Sequence, residues 1–187
     1  MSQSLLLQIA RESITEVFEA KFTIDKEQLI HDYPVLKEPI ASFVTIYLED
    51  ELRGSQGSVF PSQSLLEGII YNAKAAAFED ERFTPLKTSE YLHAKIELSL
   101  LTPLVELRYT DVADIKAQVR SGVDGLVIVL ADKQSAFLPQ IWSQLNDFDS
   151  FFTHLLKEAG LSLEDIASHP KIFTFQVEKQ IDEPVLS

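Results

Sequence analysis

The 187-residue sequence contains no cysteine, one methionine, one tryptophan and six glycines. Without cysteine the chain cannot form disulfides, bind zinc through thiolates, hold a cysteine-ligated iron–sulfur cluster or use a thiolate nucleophile. No segment is as long and apolar as a membrane-spanning helix. The first ten residues lack the basic start and apolar core of a signal peptide. We therefore predict a cytoplasmic protein.

Positive charge is scarce, since 16 Lys and Arg stand against 29 Asp and Glu, a formal charge of −13. A protein that neutralises phosphates needs clustered Lys and Arg, so the composition argues against nucleic acid and anionic membranes as partners. The hydrophobic fraction of 45%, with twelve Phe, is sufficient for the core of one substantial domain.

Hydrophobic periodicity predicts an α+β fold. Helical spacing predicts helices over residues 4–20, 25–32, 148–159 and 162–168, one that follows 61–64 and ends near 78, and one that begins at 111 and ends near 121. Alternation or continuous apolar runs predict strands over residues 41–48 (buried on both faces), 94–101, 104–109, 125–130 and 171–177. These elements lack a regular βαβ period, so we expect a mixed or antiparallel sheet packed with helices. Residues 179–187 are predicted to form a loose acidic tail.

The stretch from Leu52 to Phe60 is the most distinctive in the chain, because Gly54 and Gly57 bracket two small polar residues behind Arg53. Two interpretations remain open. The glycines either meet the steric demands of a hairpin turn, or they let main-chain N–H groups join Arg53 in holding a carboxylate or phosphate.

This stretch, Leu52-Arg53-Gly54-Ser55-Gln56-Gly57, resembles the Leu-Arg-Gly-Cys-Ile-Gly signature of the AMMECR domain family, with Ser55 and Gln56 in place of Cys and Ile. Five further segments follow in the family's order: Asp80-Glu81-Arg82-Phe83, the segment from Ile96 to Pro103, Gly125-Leu126-Val127-Ile128, Phe137-Leu138-Pro139-Gln140 and Glu158-Ala159-Gly160-Leu161. The resemblance covers most of the chain.

The resemblance implies two lobes with a cleft between them. Whether residues 50–93 or so form the smaller lobe is a question that the sequence leaves open. Bacterial and archaeal relatives are often encoded beside a Memo-type protein and a radical-SAM protein, which implies a partner role. We place nine residues in a ligand-binding cleft: Arg53, Gly54, Ser55, Gln56, Gly57, Asp80, Arg82, Glu97 and Gln140. The alternative for the charged residues is an arginine–carboxylate network that ties the two lobes together.

Two functions follow from this resemblance. The first is an interaction or small-anion-binding module that works with the Memo-type and radical-SAM proteins. The second is an enzyme with Ser55 in the cleft, for which His93 is the candidate base. We predict no cofactor and no metal, because His154 and Glu158, although spaced for chelation, lie opposite the apolar stripe of their helix.

Overall fold

The computed structural model describes residues 4–182 and 184–185. Their helices and strands in chain order are α1 (Leu5–Glu19), α2 (Lys26–Asp32), a 3-10 turn (Pro34–Lys37), β1 (Ser42–Leu48), β2 (Glu51–Gly57), α3 (Leu65–Phe78), α4 (Thr88–Tyr91), β3 (Lys95–Leu101), β4 (Val105–Glu106), α5 (Val112–Gln118), β5 (Gly125–Leu130), β6 (Lys133–Phe137), a 3-10 turn (Pro139–Ser143), α6 (Phe148–Glu158), a 3-10 turn (Leu163–Ser168), β7 (Lys171–Phe175) and β8 (Val177–Ile181). They form two compact units: unit 1 comprises the described residues up to Leu101 and from Glu178 onwards, and unit 2 comprises Thr102–Val177.

Unit 1 is built on a four-stranded sheet in the order β2-β1-β3-β8. β1 pairs antiparallel with both β2 and β3. Helices α1 and α3 lie against this sheet, and their apolar faces form a core with alternate residues of β1 and β3. Ser4 and Ser64 cap these two helices, each accepting a hydrogen bond from a main-chain N–H in the first turn. The core includes Ile14, Leu36, Val44, Ile46, Leu66, Ile69, Ala73, Ile96 and Leu98.

The β1–β2 hairpin turns at Glu49 and Asp50, both of which have positive φ values, 52° and 64°. Two consecutive residues of this kind give the turn that matches the twist of paired strands. The glycine-containing stretch therefore lies within β2 and is not the turn. The pairing shifts by one residue after Ile46, so that Arg53 has no partner across the hairpin and forms a β-bulge.

Unit 2 is a second four-stranded sheet, in the order β4-β7-β5-β6. The pairs β4–β7, β5–β6 and β5–β7 are all antiparallel. The apolar stripe of α6 lies on β5 and β6, and Trp142 stacks on Phe151 with their ring centroids 3.8 Å apart. The core includes Ile115, Leu126, Ile128, Phe148, Phe152, Leu155, Leu156, Ile166 and Ile172.

Several predicted elements differ in the structure. Burial alternates along β1, so this strand is buried on one face, because α1 and α3 cover only one side. The strand predicted over 104–109 is reduced to the two residues of β4, and β6 forms where no strand was predicted. Residues 50–93, which the sequence analysis considered as a smaller lobe, lie within unit 1.

The prediction of a loose tail from residue 179 is wrong for residues 179–182. β8 continues to Ile181 and pairs with β3, and the next residue, Asp182, is 5% exposed. The Asp182 carboxylate accepts hydrogen bonds from the main-chain N–H of Ile96 (2.7 Å) and from the Arg11 guanidinium (2.9 Å). Sheet extension and a buried ion pair thus fix this segment. Residues 183, 186 and 187 of the predicted tail lie outside the described residues.

Among the described residues, no helix is both long and apolar enough to cross a membrane.

Candidate functional site

Gly54 and Gly57 allow close packing within unit 1. A Cβ atom built on Gly54 would overlap the main-chain carbonyl of Ala76 in α3. One built on Gly57 would overlap the ring of Phe43 and crowd the carbonyl oxygen of Ser42. Main-chain atoms cannot move aside as a flexible side chain can, so both positions require glycine. This geometry supports the steric interpretation, with packing against α3 and β1 as the cause.

Arg53, at the bulge of β2, is held by Glu90 of α4. Its Nε and Nη2 donate to the two carboxylate oxygens of Glu90, each at 3.0 Å. The N–H of Lys87 also donates to Glu90 Oε2 at 2.9 Å. The side chains of Arg53 and Glu90 are 12% and 25% exposed. Hydrogen bonding to the arginine is the main cause that lowers the pKa of Glu90.

Asp80 forms a second arginine–carboxylate pair, with Arg82. Arg82 donates through Nε (2.9 Å) to Oδ1 and through Nη2 (2.6 Å) to Oδ2, and its main-chain N–H donates to Oδ1 at 3.1 Å. Asp80 Oδ2 also accepts the N–H of Ser55 at 2.9 Å. The Arg82 side chain is the main cause that holds the pKa of Asp80 far below its usual range. Because β2 is an edge strand, the Asp80 carboxylate also covers a main-chain donor that would otherwise be open to pairing.

The ring of Phe83 joins the two pairs. The Cζ atoms of Arg53 and Arg82 lie 5.8 and 5.5 Å from its centroid, within cation–π range. We call Arg53, Asp80, Arg82, Phe83 and Glu90 the arginine cluster. It fastens the segment between α3 and β3 to the edge of β2, and all five residues belong to unit 1. One interpretation of the sequence was a network that ties two lobes together. The arginine cluster lies within one unit, so it does not have this role.

The candidate nucleophile and base are not brought into a catalytic pair. The Ser55 hydroxyl lies 3.0 Å from the Thr45 hydroxyl, on the neighbouring strand. His93 is exposed in the turn after α4. Within the described residues no hydrogen bond joins His93 to Ser55, so the structure does not support His93 as the base for this hydroxyl.

The other candidates lie outside the arginine cluster. Glu97 on β3 is the Cα partner of Thr45; it is 6% exposed and accepts a hydrogen bond from Lys179 Nζ at 2.9 Å. Gln56 lines a small cavity beside α3. Gln140 belongs to unit 2, where it is exposed in the 3-10 turn Pro139–Ser143.

Sequence reasoning missed Phe83 and Glu90 as members of the cluster. Glu90 lies three residues after Lys87, the spacing at which a glutamate side chain accepts the main-chain N–H of the residue that precedes a helix. That signal places Glu90 at the first turn of α4, but it gives no indication of Arg53. The described residues contain no group of three or more His, Cys, Asp or Glu side chains that could hold a metal ion.

Replacement of Arg53 by alanine is expected to lower the free energy of unfolding by about 2 kcal/mol, because it leaves the largely buried Glu90 carboxylate without its cation. The corresponding fall in Tm is about 4–8 °C for a chain of this size. Urea denaturation of Arg53→Ala, Glu90→Ala and the double variant measures this effect. A double variant no worse than either single one would confirm the pair, whereas full additivity would contradict it.

Comparison with known proteins identifies related chains. The sequence model of the AMMECR1 family matches residues 7–180. A protein of Methanothermobacter thermautotrophicus is 31% identical over 178 residues, which cover 94% of this chain and 91% of the relative. One of Saccharolobus solfataricus is 36% identical over 143 residues, 73% of this chain and 61% of the relative. The crystal structure of an uncharacterised protein from Pyrococcus horikoshii has a TM-score of 0.80 at 26% identity, covering 97% of this chain and 92% of the other. These findings confirm the resemblance and the α+β fold that the sequence predicted.

Proposed function

Because the chain belongs to the AMMECR1 family, we propose that it is a binding module that acts together with Memo-type and radical-SAM proteins, and that its arginine cluster receives a carboxylate. The carboxylate belongs either to a small anion or to the acidic tail of a partner.

The single observation that carries this proposal is how the two guanidinium groups are held. Each uses its Nε and Nη2 on an internal carboxylate, and neither Nη1 has a hydrogen-bond partner within the described residues. The Phe83 ring fixes both groups further. An arginine held in this way loses little side-chain entropy when it binds, so an incoming carboxylate meets preorganised donors. The Arg82 side chain is 57% exposed and is therefore accessible.

Charge limits the class of ligand. The cluster contains two arginines and two carboxylates, so its net charge is zero, and the whole chain carries −13. A polyanion would be repelled at long range, whereas one carboxylate at short range would gain directed hydrogen bonds. The proposal therefore favours a single carboxylate and a transient complex.

The test compares Arg82→Gln with Lys87→Gln, which removes a positive charge from the same segment without breaking a side-chain hydrogen bond. Small carboxylates such as succinate should raise the Tm of the wild type and of Lys87→Gln, because a ligand that binds the folded state stabilises it. They should have little effect on Arg82→Gln. Calorimetry with Memo-type and radical-SAM proteins from the same organism should show the same ranking of the three proteins, with binding by the wild type and Lys87→Gln and little binding by Arg82→Gln. Equal responses from all three proteins would contradict the proposal.

An enzyme centred on Ser55 and Arg53 is the alternative, and one observation favours it. Ser55, Thr45 and Glu97 are successive cross-strand neighbours, so two hydroxyls and a buried carboxylate form a row across three strands. The alternative predicts that Ser55→Ala abolishes product formation by the chain combined with its radical-SAM partner, with Ser58→Ala as the matched control. Unchanged turnover in Ser55→Ala would exclude it.

A further inference from the structure

A small cavity of about 100 Å³ lies beside the second half of the glycine-containing stretch. The residues that matter for its chemistry are Ser42, Gln56, Phe60, Gly68, Tyr71 and Asn72. We call it the Asn72 pocket. It shares no residue with the arginine cluster, so its function goes beyond the one proposed above. Its volume is below the roughly 300–1,000 Å³ of typical small-molecule sites, so it admits a group no larger than a side chain.

Asn72 provides an accessible acceptor at the pocket. The residue is 8% exposed, and its Nδ2 donates to the carbonyl oxygen (3.0 Å) and to the hydroxyl (3.1 Å) of Ser42. These two bonds fix the orientation of the amide. The Oδ1 atom of Asn72 has no hydrogen-bond partner among the described residues. Because Oδ1 is not among the fully buried unpartnered atoms of the described residues, it is accessible, and a ligand in the pocket that brings a donor can bind it.

Gly68 keeps the pocket open. It lies in the first half of α3, where glycine weakens the helix relative to alanine. A Cβ built on Gly68 would meet only the Ser42 hydroxyl, at 3.6 Å, which is ordinary van der Waals contact. Packing therefore does not require glycine here, in contrast to Gly54 and Gly57. What a methyl group at this position would do is occupy space in the pocket.

The remaining lining selects an uncharged ligand. None of the described residues that line the pocket carries a charge. Phe60 and Tyr71 are 38% and 50% exposed, so two aromatic side chains stand at its border. The Gln56 side-chain amide has no hydrogen-bond partner in the described part of the chain, and it supplies a second polar group. A charged ligand would lose its hydration here without gaining a counter-ion.

We propose that the Asn72 pocket binds an uncharged hydrogen-bond donor of side-chain size, a primary amide above all. The amide N–H would donate to Asn72 Oδ1, and its apolar part would contact the aromatic border. Such a group occurs both as a free small molecule and as a glutamine side chain of a partner polypeptide.

The experiment follows main-chain amide resonances of the full chain by NMR during titration with acetamide and, separately, with acetate, which has the same shape and carries a charge. Acetamide should shift the signals of Ser42, Gly68 and Asn72, while the signals of unit 2 serve as an internal reference. Acetate should bind at least about tenfold more weakly, because the pocket offers it no counter-ion in exchange for its hydration. Equal shifts with both compounds, or no acetamide shift at these residues, would overturn the proposal.

Gly68→Ala provides the decisive variant. It should have the same Tm as the wild type or a higher one, and it should bind acetamide about tenfold more weakly or not at all, because the methyl group fills the site. Undiminished binding to this folded variant would also overturn the proposal. A capped peptide with one glutamine distinguishes the sources of the ligand: tighter binding than acetamide indicates a partner polypeptide, and equal or weaker binding indicates a free small molecule.

Discussion

Gly54→Ala is expected to destabilise the protein by about 3 kcal/mol, a fall in Tm of about 6–12 °C. The added methyl group would overlap the carbonyl of Ala76, and neither main chain can yield without separating β2 from α3. Gly57→Ala should have a comparable effect through Phe43 and Ser42. Urea denaturation followed by circular dichroism measures both effects.

The matched control is the same substitution at the third glycine of this region. Gly68→Ala meets only ordinary contact and removes a helix-weakening residue, so it should be neutral or stabilising by about 0.5–1 kcal/mol. One chemical change would thus give opposite signs at positions 54 and 68. If Gly54→Ala were as stable as the wild type, the close approach of β2 to α3 would be wrong, and the steric interpretation of the signature would be wrong with it.

The hydrophobic pattern predicted most helices and strands because their periodicity is local. The helix from Leu65 to Phe78 and the strand from Lys95 to Leu101 follow directly from apolar spacing. β8 was missed because Glu178, Lys179 and Gln180 conceal its alternation, and its stability comes from pairing with β3, a strand distant in the sequence. Such pairing leaves no signature within the strand itself.

The sequence identified several residues of the arginine cluster but not the pairing of its charged groups. The convergence of Arg53, Asp80 and Arg82 is found in the structure, but Glu97 pairs with Lys179 and Gln140 lies in unit 2. Which carboxylate pairs with which arginine depends on the bulge at Arg53 and on the position of α4. Both are consequences of tertiary packing, which a sequence motif does not encode.

The serine at position 55 has a structural explanation. Where the family signature usually has cysteine, this chain offers a hydroxyl that contacts Thr45, while Asp80 takes the main-chain N–H of the same residue. Any residue except proline supplies that N–H. The link between β2 and the arginine cluster is therefore indifferent to the side chain, so serine in place of cysteine leaves this part of the structure intact.

Asp80→Asn is expected to lower the free energy of unfolding at pH 7 by about 2–3 kcal/mol. The Asp80 side chain is 7% exposed and accepts hydrogen bonds from Ser55 and Arg82. The asparagine amide would replace one acceptor oxygen with a donor and would leave Arg82 without its counter-ion. Glu81→Gln is the matched control: it removes a neighbouring carboxylate that is exposed and makes no hydrogen bond within the described residues, so its effect should be within about 0.5 kcal/mol.

The difference between wild type and Asp80→Asn should depend on pH in a defined direction. The pKa of Asp80 is lowered on folding, so its contribution is fully present above the pKa of the unfolded chain, near 3.8, and declines as the pH falls towards the folded pKa. Urea denaturation at pH 7, 5, 4 and 3 should therefore show a constant difference from about pH 7 to 5 and a smaller one below about pH 4. A difference that stays constant down to pH 3 would mean that the asparagine acts through altered packing, and that the charge of Asp80 does not stabilise the arginine cluster.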